Sequence, residues 1–328
     1  MVESLDSMRN RLRSLPMDAL AGLLDAPRAR DAFLMRIVMA PPWCVRVEDE
    51  APLSVIAVIG GGAWIVPDGG EPVHVSGGDV AITRGPRPFT FADDPATATQ
   101  AIIHPGQRCT TPDGVELEQE MTLGVRAWGN DPRGRDVQLV GTYLLDGEVG
   151  ARLLGTLPTV LVVPAGELEA PFVELLAAEM QREEPGQDAV LDRLLDLLLI
   201  ATLRAWFARE DSGAPGWYRA STDPVVGPAV RMLYNNPAHP WTVAGLAAEV
   251  GASRAALARR FTELVGEPPM SFLTDWRLTL AADLLLEPGA TIGSVANKVG
   301  YASPYALSAA FKRHRGISPR DHRLAAAS

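Results

Sequence analysis

Between residues 43 and 104 the apolar positions come in short runs, 53–59, 63–66, 72–75, 80–83 and 101–104. Turn-forming clusters punctuate them: Gly60-Gly61-Gly62, Asp68-Gly69-Gly70, Gly77-Gly78-Asp79 and Arg84-Gly85-Pro86. Runs of about four to seven residues at such close spacing predict the strands of an antiparallel sandwich or barrel. Upstream, Leu20, Leu23 and Leu24 have helical spacing, and 33–38 is apolar enough to begin a strand. Downstream, 105–135 is rich in Gly, Pro, Asp and Glu and predicts a long loop or insertion. The runs 137–145 and 159–163 then return to the sheet.

From residue 168 the period lengthens. Helices are predicted over 168–182 and 189–207, with Glu183-Glu184-Pro185-Gly186 as the break between them. The second carries Leu191, Leu194, Leu195, Leu198, Thr202 and Leu203 on a broad stripe, and Leu197, Leu199 and Ile200 extend it nearly all round. Such a helix must pack on two sides, the second partner being either another subunit or the interior of the same chain. Asp211-Ser212-Gly213-Ala214-Pro215-Gly216 then has the composition of an interdomain linker.

The last third repeats itself at an offset of about 50 residues. Leu246-Ala247, Val250-Gly251, Ser253, Leu257, Phe261 and Gly266 are answered by Val295-Ala296, Val299-Gly300, Ser303, Leu307, Phe311 and Gly316. In each copy an apolar helix ends at a glycine suited to a left-handed cap, a short turn follows, and a serine caps the next helix. Pro304 at the first helical position strengthens the second of these caps. Leu and Phe four apart fix the inner face of that helix and leave its outer face free. This is a helix-turn-helix, whose second helix fits a major groove about 12 Å wide. Between the copies, 272–286 reads as one continuous helix, with Trp276, Leu278, Ala281, Ala282 and Leu285 on it.

Charge follows the same division. The chain has 328 residues and a net charge of −10, but the first 223 carry 19 arginines against 33 acidic residues, −14, and the remaining 105 carry 11 basic against 7 acidic residues, +4. A basic tail on an acidic body suggests a polyanionic partner for the tail. No apolar stretch reaches the roughly 18 uncharged residues of a membrane span, and residues 1–13 hold Glu3, Asp6 and three arginines without an apolar signal core, so a cytoplasmic location is expected.

Gly300-Tyr301-Ala302-Ser303, Leu307, Phe311-Lys312-Arg313, Gly316-Ile317-Ser318-Pro319 and Arg323 resemble the signature of the AraC/XylS family of bacterial transcription regulators. Trp241-Thr242-Val243 and Leu257-Ala258-Arg259-Arg260-Phe261 resemble its first motif. Gly61-Gly62-Ala63-Trp64, Gly77-Gly78-Asp79, 154–163 and the helix 191–206 more loosely resemble the cupin-type sensor of one branch. The resemblance implies an α+β chain. A cupin-like antiparallel β-barrel with two dimerisation-type helices occupies 1–210, a linker 211–222, and an all-α domain with two helix-turn-helix motifs on a linker helix 223–328. It implies a homodimeric, effector-responsive regulator, more often an activator, that binds double-stranded promoter or operator DNA, works with RNA polymerase, and is nucleoid-associated when bound. No enzyme activity, catalytic residue, cofactor or membrane attachment is expected.

By position on the motif, the first recognition helix presents Arg254, Ala255, Ala258 and Arg259, and the second presents Tyr305, Ser308, Ala309 and Lys312. Arg259 is the expected base reader, because arginine grips guanine bidentately. Arg260, Lys312 and Arg313 are expected phosphate clamps. Trp241, Trp276, Phe261 and Phe311 are expected in the core.

In the sensor, Trp43, Trp64, His74, Phe89, Phe91 and His104 are the expected lining of a barrel that holds a small organic effector, or else simply its core. A metal-dependent cupin enzyme is the rival from another class. It needs two or three histidines and a carboxylate, whereas this segment offers only His74 and His104 and no His-x-His, so no metal is expected. Cys44 and Cys109 also permit a thiol redox switch, although two spare thiols need no function.

Overall fold

Strand alternation builds two stacked sheets. The computed structural model describes residues 33–143, 147–168, 171–182 and 184–326, so the expected helix at Leu20–Leu24 and the last residues of the run 137–145 lie outside the described residues. The described residues divide into two compact units, one from within 33–143 and 153–213, the other from within 147–152 and 214–326.

The strands of the first unit are β1 (Phe33–Met39), β2 (Cys44–Val47), β3 (Leu53–Gly60), β4 (Gly62–Pro67), β5 (Val73–Ser76), β6 (Val80–Arg84), β7 (Phe89–Ala92), β8 (Ala101–Ile103), β9 (Cys109–Thr110), β10 (Thr122–Gly124), β11 (Ala127–Gly129), β12 (Asp136–Tyr143) and β13 (Val160–Val163). One sheet has the order β10-β11-β1-β12-β3-β6-β13 and the other β5-β4-β7-β2-β8-β9. Both are mixed: β1 runs parallel to β11, and β2 parallel to β8. The expected antiparallel barrel is therefore corrected to a mixed sandwich that does not close. Strands that meet from distant parts of the chain are free of the hairpin that forces sequential neighbours to be antiparallel. The expected loop 105–135 contains β9, β10 and β11, whose two or three residues are too short to show alternation.

Met39, Ile56, Val58, Ala81 and Trp128 from one sheet meet Val45, Ala63, Ile65, Val75 and Phe91 from the other in a single apolar core. On the outer face lie α1 (Phe172–Glu179), against β3, and α2 (Gln187–Ala208), against β13 and α1. The shorter α1 starts after Pro171, since a proline disfavours helix in the residue before it. Gly141 of β12 has no side chain where α2 arrives; a Cβ there would lie 2.6 Å from Leu195 Cδ1. The next outward position, Tyr143, gives its hydroxyl to Asp196 at 3.5 Å.

The second unit is helical: α3 (Val226–Asn235), α4 (Val243–Glu249), α5 (Arg254–Val265), α6 (Pro269–Leu286), α7 (Ile292–Val299), α8 (Pro304–Arg315) and α9 (Pro319–Ala326). Residues Gly216–Arg219, inside the expected linker, form a short helix whose Trp217 is buried edge-on to Tyr234. Central α6 is buried along its length: Phe272 and Trp276 join an aromatic group with Tyr234 and Phe261. Leu278, Ala281, Ala282 and Leu285 pack on α7 and α8.

Candidate functional site

Each helix pair of the second unit is set by the same local rules. Thr242 Oγ1 accepts the Gly245 N–H at 2.9 Å to start α4, and Thr291 Oγ1 accepts the Ser294 N–H at 3.0 Å to start α7. Ser253 and Ser303 cap α5 and α8 through the N–H groups of Ala256 and Ala306, at 3.2 and 3.1 Å. The turns differ. Gly251 and Gly300 both have positive φ, +67° and +83°, but a Cβ on Gly251 would meet nothing within 4 Å while one on Gly300 would sit 2.6 Å from the Ala238 carbonyl oxygen.

Leu257 and Phe261 turn α5 inward, and Leu307 and Phe311 do the same for α8; all four are buried. The opposite faces are open. On α5, Arg254, Ala255 and Arg259 are exposed and Ala258 is half-buried. Among the described residues Arg259 has a loose pair with Glu263, 3.7 Å away on the next turn. Arg260 is turned to Asp223, with Nη2–Oδ2 at 2.6 Å and Nε–Oδ2 at 2.8 Å. Burial pushes the Asp223 carboxyl up, but Arg260 and the N–H groups of Val226 and Val225 outweigh it and hold the group below its ordinary value. On α8, Tyr305 is 83% exposed, Ala309, Lys312 and Arg313 are open, and Ser308 donates back to the Pro304 carbonyl at 2.8 Å.

Between the sheets of the first unit lies a cavity of about 370 Å³. Its wall comes from alternate positions of five strands: Met35 and Ile37, Val45 and Val47, Ser54 and Ile56, Phe89 and Phe91, Val140 and Thr142. Ile103, Cys109, Thr122, Trp128, Gly106, Asp49 and Gln107 complete it. Gln107 has φ +65°, in the left-handed region, and its Nε2 donates to Asp49 Oδ2 at 3.3 Å, while the Ala51 N–H donates to Asp49 Oδ1 at 3.1 Å. On the same inward face of β12, next to Val140, the fully buried amide of Gln138 has no hydrogen-bond partner for either its nitrogen or its oxygen among the described residues.

Residues 18–208 match the cupin family, and 246–325 match the helix-turn-helix domain family. Over 313 residues the chain is 33% identical to an AraC-like transcription regulator of Streptomyces lividans, covering 94% of this chain and 98% of that one. The chain belongs to the AraC-like transcription regulators. It is 28% identical over 316 residues to the transcriptional regulator AlkR of Acinetobacter baylyi, 94% of this chain and 99% of that one. Among solved structures, the DNA-binding domain of AdpA in complex with a target DNA is 33% identical and covers 32% of this chain and 93% of that one, with a TM-score of 0.30. On the two family models and the full-length relatives, this AraC-family chain is a DNA-binding transcription regulator with a cupin domain.

The structure sorts the expected cavity residues by strand parity. Phe89 and Phe91 line the cavity; Trp43 lies in the surrounding core, its Nε1 donating to the buried Asp136 at 2.8 Å. Trp64 and His74 pair across β4 and β5 on the other face of their sheet, where His74 borders a smaller polar hollow with Asp93, Arg135 and Asp136. His104 is bound to Thr110 Oγ1 at 2.9 Å and is not in the wall. Residue type had selected these aromatics and histidines, whereas the i, i+2 alternation of 35/37, 45/47, 54/56 and 140/142 was the signal that finds the wall. Among the described residues no three His, Cys, Asp or Glu side chains are grouped to hold a metal ion. Cys44 and Cys109 are both free and buried, and burial pushes both thiols up, Cys109 to about 11, opposite to the shift a reactive thiolate needs.

Proposed function

We propose that this regulator is a homodimeric, effector-responsive activator with no enzyme activity, acting with RNA polymerase in the bacterial cytoplasm. The single observation that carries it is the pairing, in one chain, of a formed apolar cavity with two capped recognition helices whose outer faces are open. Domain limits of 1–210 for the effector and dimerisation part and 223–328 for the DNA-binding part are consistent with that pairing. α5 and α8 enter successive major grooves. Arg259 reads a base, Arg254 and Tyr305 lie at the groove edge, and Lys312 and Arg313 hold phosphates. Ala255, Ala258, Ala309 and Ser308 allow close approach. Arg260 reaches a phosphate only by leaving Asp223, so its contribution is smaller than its charge suggests.

Two subunits pair through α2, where Val190 and Leu197, two turns apart, are exposed, as is Leu175 of α1. A dimer on a repeated or palindromic operator multiplies affinity through effective concentration. The test is binding of the purified full-length chain to its own upstream region, titrated in salt against a scrambled duplex of equal length. Tighter binding to the native duplex is expected, with log K falling linearly in log salt. Equal affinity for both duplexes at every salt concentration overturns the proposal.

A further inference from the structure

Resting on the effector reading above, we infer that the cavity selects an apolar small molecule whose head donates hydrogen bonds, a protonated amine before a hydroxyl, and rejects carboxylates and phosphates. Most of the wall is aliphatic and aromatic, with Ser54, Thr122, Thr142 and Gln107 as neutral polar side chains; among the described residues that line it, Asp49 is the one charged group and none is Arg, Lys or His. Asp49 is held in place from both sides by the Ala51 N–H and Gln107, yet a carboxylate offers about four lone-pair sites, which leaves room for two further donors. An anionic head would be desolvated there beside a negative charge, with no cation among the described lining residues to meet it, whereas a cationic head regains a charge-assisted bond. The charge of the surrounding chain adds to this, since the first 223 residues carry −14. The amide of Gln138, neutral and inward, brings no positive charge to change the order.

The experiment is calorimetric titration of the full-length protein with decylamine, decanol and decanoate, each below its micelle-forming concentration at neutral pH, for wild type, Asp49→Asn and Val140→Trp. For wild type the expected order is amine, alcohol, carboxylate, with decanoate at least about tenfold weaker than decylamine. Asp49→Asn, whose amide oxygen still accepts a hydrogen bond, should bring the amine down to the level of the alcohol and cost the alcohol less than the amine. Val140→Trp, which fills the wall, should remove binding of all three. Decanoate binding as tightly as decylamine, an unchanged amine preference in Asp49→Asn, or full binding by Val140→Trp each overturns the inference while leaving the regulator reading standing. Failure of all three probes to bind wild type overturns the effector reading, and the inference with it.

Discussion

In the first helix-turn-helix copy Phe261 stands edge-on to Phe272 at 5.7 Å, within an aromatic group that includes Tyr234 and Trp276, and Arg260 is tied to Asp223. In the second copy Phe311 packs with Leu278, Ala281, Leu285, Val295 and Val299, and the position answering Arg260 is the buried Ala310. The first turn is open around Gly251; the second holds Gly300 against the Ala238 backbone and has one residue more before its serine cap, Gly300 to Ser303 against Gly251 to Ser253. Repetition of a sequence frame thus preserves the caps and the inward Leu and Phe, while the packing that locks each copy has diverged. The first copy is fastened by a group of four aromatic rings and the Arg260–Asp223 pair, the second mainly by aliphatic packing and a crowded turn, with the His322 ring edge-on to Phe311 at 5.4 Å and Lys298 paired with Glu287 at 3.2 Å.

The largest expected effect tests that contrast in the cores. Phe261→Ala and Phe311→Ala should each cost about 3–5 kcal/mol, read by urea unfolding, with only Phe261→Ala disturbing near-ultraviolet signals of the aromatic group. Next come the turns. Gly251→Ala should cost about 1 kcal/mol, the penalty of left-handed backbone alone, whereas Gly300→Ala should cost about 3 kcal/mol because backbone must also move; equal costs would erase the distinction. On DNA, Arg259→Ala should lose about 1–3 kcal/mol and relax preference at one base pair, while Lys312→Ala should weaken all sequences alike and reduce the salt slope by about 1. The smallest effect is acid sensitivity of the first copy. The folded Asp223 carboxyl lies below its ordinary 3.8, so its stabilisation is present above that value and is lost as pH falls through the lower folded value. The difference in Tm between wild type and Asp223→Asn should shrink in acid, and a gap independent of pH would remove Asp223 from the account.

The four helices of the two repeats were legible because their ends are marked, Thr242, Ser253, Thr291 and Ser303 at starts and Gly266, Gly300 and Gly316 at ends, whereas α3 and α9 carry no such repeated frame and were not expected. Start points moved only slightly, as where α6 begins at Pro269 rather than Phe272, a proline being favoured in the first turn. The sandwich was legible where glycine turns flank long strands, as at β3 and β4, and illegible where β9 to β11 are too short for a pattern. Parallel pairing of β1 with β11 and of β2 with β8 leaves no local mark in a sequence. The cavity was half legible: Phe89 and Phe91 were found by type, but Asp49 and Gln107 sit outside the strands, where alternation has nothing to say.

Along β12, Val140 and Thr142 face the cavity while Gly141 and Tyr143 face α2, so one thickness of backbone divides the cavity from the helix that bears Val190 and Leu197. At Gly141 no rotamer stands between strand and helix to absorb a displacement, and a close-packed interior yields little. In the proposed dimer, filling the cavity and pairing the subunits therefore draw on a single coupling free energy, which acts equally in both directions. Apparent ligand affinity should then depend on protein concentration, and the monomer–dimer midpoint on ligand.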